Sequence, residues 1–143
     1  MTAFAFPPDG SFFINIERHI DSLHNAITVY HSKDFSIASQ LMLDDNVNVC
    51  DIEYDSKTEN YYVLGFRSGM ESNGYFVGKY RNNAITDTVE ISESVFDFHR
   101  IYLRLKRMGF TDKAYEWSYC DCELEKLKNQ NTTLSNLYNS YSN

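Results

Sequence analysis

Between Val47 and Ile91 short apolar and aromatic runs alternate with turn residues, a pattern that suits extended strands and not helices. Val47 and Val49 alternate, then Ile52 and Tyr54 do so in the opposite phase, which predicts a β-bulge near Cys50-Asp51. Asp55-Ser56-Lys57 has turn chemistry. Tyr61 to Phe66 and Tyr75 to Tyr80 are rich in aromatic and β-branched residues, with a Ser/Asn/Gly-containing loop from Ser68 to Gly74 between them. Asn82-Asn83 predicts a tight turn, and Ile85, Asp87, Val89 and Ile91 alternate beyond it. Short connections between such runs predict an antiparallel meander of three or four strands.

The flanks carry helical spacing instead. Ile16, Ile20, Leu23, Ile27 and Tyr30 fall at intervals of 4, 3, 4 and 3, one stripe of a helix with Asn15 as its N-cap. Asp34 is placed to cap a second short helix with Phe35, Ala38, Leu41 and Met42 inward, and the same residues also suit a strand. After the sheet, Ser92 to Val95 opens a helix. Its face is Phe98, Ile101, Tyr102, Leu105 and Met108, and Gly109 ends it. Thr111 or Asp112 caps another, with Ala114, Trp117, Cys120, Leu124 and Leu127 on one side. Leu134, Leu137, Tyr138 and Tyr141 suit a last short turn of helix or a frayed tail. The expected fold class is α+β, with N-terminal and C-terminal helices packed on one face of the meander and the other face left to water or a partner.

The 143 residues suit one domain, 1–143, with flexible ends at 1–10 and 139–143, and no repeat or linker divides it. Twenty acidic against thirteen basic residues give a net charge of −7. Such a field disfavours nucleic acid and anionic membrane and attracts basic partners. No basic leader or apolar run of about 18 residues is seen, so neither export nor a spanning helix is expected, and the cytoplasm is the expected compartment. Cys50, Cys120 and Cys122 form no disulfide framework, and Cys120 and Cys122 point apart on a helix.

No nucleotide loop, nucleophile elbow or zinc-deaminase pattern is present, and no metal or cofactor is expected. His24 and His31, two helical turns apart, stand too far from each other for one metal; His19 and His99 complete the histidines. Asp44-Asp45 and Asp51-x-Glu53 pair carboxylates, but catalysis needs one of them buried with a raised pKa. Arg100, Arg104 and Arg107 make a basic ridge, which helix-terminal electrostatics explain as well as phosphate binding does.

The acidic, tyrosine-bearing segment is the strongest candidate surface. Asp44, Asp45, Asp51, Glu53, Asp55 and Glu59 face a single Lys57, with Tyr54, Tyr61 and Tyr62 among them. Carboxylates that steer and tyrosines that anchor suit a basic protein partner. A second run free of Lys and Arg, Ala84 to Asp97, carries Asp87, Glu90, Glu93 and Asp97, and would enlarge a negative face if it lay alongside. Aromatic residues are 15% of the chain, so the surplus of tyrosine serves core edges or a binding surface.

In size, charge and aromatic content the whole chain resembles the small acidic immunity proteins of bacterial contact-dependent inhibition and colicin-type toxin systems. The resemblance implies a non-enzymatic protein that neutralises a basic toxin or nuclease by covering its active site; it assigns no residue. A phage-encoded inhibitor of a host defence nuclease follows the same physical logic. A small enzyme using His24, His99 and Asp51, or a subunit of a larger assembly, are readings from other classes.

Overall fold

A computed structural model describes residues 4–5, 10–18, 25–69, 74–107 and 133–142. The described residues are mostly strand, an α+β arrangement built on an antiparallel meander. Its first sheet holds β1 (Phe4–Ala5), β2 (Phe12–Arg18), β3 (Asn25–His31) and β4 (Ile37–Met42), in that order. The second holds β5 (Val47–Asp55), β6 (Asn60–Arg67), β7 (Gly74–Arg81) and β8 (Ala84–Ile91), also in sequence order. Among the described residues two helices follow, α1 (Glu93–Arg107) and α2 (Leu134–Ser142).

The N-terminal helices expected from the spacing are strands. Ile16 and Ile27 are eleven residues apart, which is three helical turns, but they are also cross-strand partners in the β2–β3 ladder. A hairpin register thus reproduced helical spacing at these two positions; Ile20 and Leu23 lie outside the described residues. Local chemistry favours the strand: Ile27, Thr28, Val29 and Tyr30 are β-branched or aromatic, and side chains stiff at χ1 fit a pleated surface better than a helix. Asn15 is consequently mid-strand, not a cap, and pairs with Phe4 and Thr28. Asp34 caps a turn rather than a helix, accepting from the Ser36 N–H at 3.0 Å and the Ser36 hydroxyl at 2.7 Å. Of the four residues expected inward there, Phe35, Ala38 and Met42 are exposed and only Leu41 packs on the core. Phe4 and Ala5, expected in a flexible end, pair with β2, and residues 139–142 complete α2.

The four strands of the middle block form as read. The ladder shifts register between Val49 and Asp51, where the phase change predicts a bulge. Asn82 and Asn83 have φ of 52° and 56°, the left-handed pair that a two-residue hairpin turn demands.

Alternation along β6 and β7 then builds two cores. Tyr62, Leu64 and Val77 point one way and cluster with Phe96 and Phe98 of α1 and with Leu134, Leu137 and Tyr138 of α2. Val63, Phe76 and Tyr80 point the other way and cluster with Ile14, Ile16 and Ile27 of the first sheet. The face expected to be open is therefore covered by the first sheet. The reason is compositional: β6 and β7 are apolar on both faces, and a strand of that kind is stable only between two layers.

Helix ends are satisfied locally and at long range. The Ser92 hydroxyl accepts from the Val95 N–H at 3.3 Å and opens α1. Thr133 accepts from the Asn136 N–H at 3.1 Å, and Glu53 Oε2, from β5, accepts from the Leu134 N–H at 3.0 Å. The helix expected from Thr111 or Asp112 onward lies outside the described residues.

Gly65 of β6 is hemmed in by the two strands that flank it in the second sheet. A Cβ there would stand 2.4 Å from the Asn48 carbonyl and 2.9 Å from the Phe76 ring. Neither can yield, because one is backbone in β5 and the other is fully buried. Gly65→Ala is expected to destabilise the protein by about 2–3 kcal/mol through overpacking, read as a lowered urea midpoint with an unchanged slope.

Candidate binding site

Pairing aligns three tyrosines across the second sheet: Tyr54 opposite Tyr61, and Tyr61 opposite Tyr80. Their rings form a row, with centroids 4.9 Å apart for Tyr54–Tyr61 and 6.4 Å apart, edge to face, for Tyr61–Tyr80. Tyr54 and Tyr61 are half-buried, and Tyr80 is buried at the inner end of the row. Burial pushes the Tyr80 phenol pKa up, opposed by a hydrogen bond from Ser39. The row lies beside two hairpin tips that frame a hollow of about 330 Å³, lined by Glu59, Asn60, Tyr61, Tyr80, Arg81 and Asn82.

Both tips are held. Asp55 accepts from the Thr58 hydroxyl at 2.6 Å, which closes the β5–β6 turn, and Glu59 takes a left-handed φ of 58° to re-enter β6. At the other tip, Tyr80 donates to Asn83 Oδ1 at 3.4 Å, and Asn83 Nδ2 donates to the Gln40 carbonyl of β4 at 3.3 Å. The tyrosine row is thus anchored to both sheets, and an aromatic row with few rotamers to lose is suited to contact.

Four of the nine residues nominated from sequence meet here: Tyr54, Asp55, Glu59 and Tyr61. The other five do not. Tyr62 is 1% exposed, because its neighbour Tyr61 takes the opposite face; its ring packs at a tilt against Tyr138, centroids 5.3 Å apart. Asp51 is 4% exposed, turned inward at the bulge, with its carboxylate accepting from the Ile52 N–H at 2.8 Å. Glu53 is occupied in capping α2. Asp44 and Asp45 are exposed but precede β5 at its far end, and a strand of nine residues spans roughly 30 Å.

The second acidic run does not join the first. β8 and β5 are opposite edges of the sheet, roughly 14 Å apart with two strands between. Asp87 lies 4.0 Å from Lys79, and Asp97 lies 3.9 Å from Arg100. At the tips themselves Asp55 and Glu59 are matched by Lys57 and Arg81. Tyr80, Arg81 and Asn82 were missed from sequence; counting outward from the Asp55–Glu59 and Asn82–Asn83 turns places Tyr80 in the row with Tyr61 and Tyr54.

Among the described residues no three His, Cys, Asp or Glu side chains converge on a metal position. His31 lines an open hollow at the β3–β4 tip with Phe12, their rings 5.0 Å apart. His19 and His24 lie outside the described residues, as do Cys120 and Cys122. Arg100 is half-buried beside Asp97, and the side chains of Arg104 and Arg107 fall outside the description. No protein-family model matches the sequence, and no curated protein is detectably similar to it.

His99 is 1% exposed on α1, and its Nδ1 has no hydrogen-bond partner among the described residues. Burial drives its pKa down to about 4. The unfolded chain, with a pKa near 6.5, takes up a proton that the folded chain refuses. Stability is therefore full above about pH 6.5 and falls toward pH 4, by about 3 kcal/mol from this group. His99→Phe is expected to flatten that limb of a stability-against-pH curve; an unaltered limb would show that other groups set it.

Proposed function

We propose that this chain is a non-enzymatic binding protein that neutralises a basic toxin or nuclease by covering its active site. The observation that carries this reading is the tyrosine row Tyr54–Tyr61–Tyr80, set between two tied hairpin tips. Fixed aromatic rings with a polar rim are the composition of energetic centres in protein interfaces. Charge enters at a different scale. The tips are locally balanced, so the net −7 of the whole molecule draws in a cationic partner while the tyrosines supply the buried contact. Asp55 and Glu59 then sit where they meet Lys or Arg side chains that otherwise bind phosphate.

This division of labour is testable. The immobilised chain, exposed to a lysate of its native cell, is expected to retain a protein of high pI. With that partner purified, Tyr54→Ala with Tyr61→Ala should raise Kd by roughly 10–100-fold, mostly through faster dissociation. Asp44→Asn with Asp45→Asn should leave dissociation unchanged and slow association slightly. Capture of an acidic partner, or equal affinity in the tyrosine double variant, would remove the proposal.

A further inference from the structure

Tyr61 and Tyr80 are the outermost pair at one end of the β6–β7 ladder, so both hairpin tips leave the sheet beside them. Glu59 stands on one tip and Arg81 on the other, and both line the hollow of about 330 Å³ next to the two rings. Thr58, Glu59, Arg81 and Asn82 are all exposed, so the hollow opens to solvent. Among the described residues neither the Glu59 carboxylate nor the Arg81 guanidinium has an ion pair or a side-chain hydrogen bond. The remaining charges of the β5–β6 tip are placed differently: Asp55 is held by Thr58, and Lys57 does not line the hollow.

In water two such charges cost little. Under a partner they lose that water. This step rests on the proposed function: if the tyrosine row is the buried contact, the hollow beside Tyr61 and Tyr80 is covered with it. A charge that loses its hydration and gains no counter-charge opposes binding. Glu59 is met by the Lys or Arg that a basic partner brings. Arg81 is not, because a further cation placed against it repels. It needs an acceptor, and the fork of a guanidinium fits a carboxylate through two parallel N–H···O bonds. A partner that is basic overall must therefore present an Asp or Glu beside a cation, within the span of the two tips. A hydrolytic active site has this composition. There a carboxylate that acts as general base or holds a metal stands near the cations that bind phosphate.

We infer that Arg81 is a specificity-determining residue of this surface, and that it pairs with a carboxylate in the partner's active site next to the cation met by Glu59. The sign of one substitution tests this. Arg81→Ala removes a positive charge from a molecule of net −7, so attraction by the overall field alone would make a basic partner bind more tightly. With the carboxylate pairing, Arg81→Ala instead raises Kd by about tenfold or more, through faster dissociation, at an unchanged melting temperature. The probe is the purified high-pI protein retained from the lysate. Its Asp and Glu residues are changed singly to Asn and Gln. One of these changes should weaken binding to the native chain and make no further difference to Arg81→Ala. Glu59→Gln should also lose about tenfold, coupled to a Lys or Arg of the same protein. Equal or tighter binding by Arg81→Ala, or no coupled carboxylate, overturns the inference. If the Tyr54 and Tyr61 double variant still loses affinity in that case, the proposed function stands without it. If no basic protein is retained, both fall.

Discussion

Burial of β6 and β7 on both faces is the constraint around which the rest of this molecule is arranged. Their alternating side chains are apolar in both directions, so water must be excluded from both sides of the second sheet. One face takes α1 and α2, and the other takes the first sheet. Within the second sheet the strands leave no space for a methyl group at Gly65, between Asn48 of β5 and Phe76 of β7, and Arg67 lies over the same Phe76 ring at 4.4 Å. Two short antiparallel sheets, each too small to stand alone, gain stability from this shared apolar layer.

The same pleat decides what reaches the surface. Tyr61 and Tyr62 are adjacent in sequence, yet one joins the half-buried row at the hairpin tips and the other fills the core on the opposite face. Asp51, Glu53 and Asp55 sit on one strand within five residues of each other and have three fates. One is buried at a bulge, one caps a helix from 81 residues away and one closes a turn. A carboxylate count along a segment therefore overstates local negative charge. What remains is a compact aromatic site with balanced charge, carried on a molecule whose overall field is strongly negative.

That separation of field from contact has a consequence for association. In the proposed reading, charge distributed over the β8 edge, the start of α1 and the Asp44–Asp45 loop attracts a basic partner, and rings at the hairpin tips hold it.

Much of the central sheet was legible in the residues. Strands from Val47 to Ile91, the bulge near Asp51, the Asn82-Asn83 turn and the Ser92 start of α1 all follow from local chemistry: χ1 stiffness, phase of alternation, tolerance of positive φ and side-chain capping. The N-terminal block was misread because Ile16 and Ile27 satisfy helical spacing and hairpin register equally well; the β-branched and aromatic run Ile27–Tyr30 favours the strand locally, and contact with Val63 and Phe76 fixes it. Nor was the site legible, beyond four of its residues. Which side of a strand a carboxylate or tyrosine faces, and what it meets there, depends on long-range pairing, and that is settled only when both faces of the second sheet are covered.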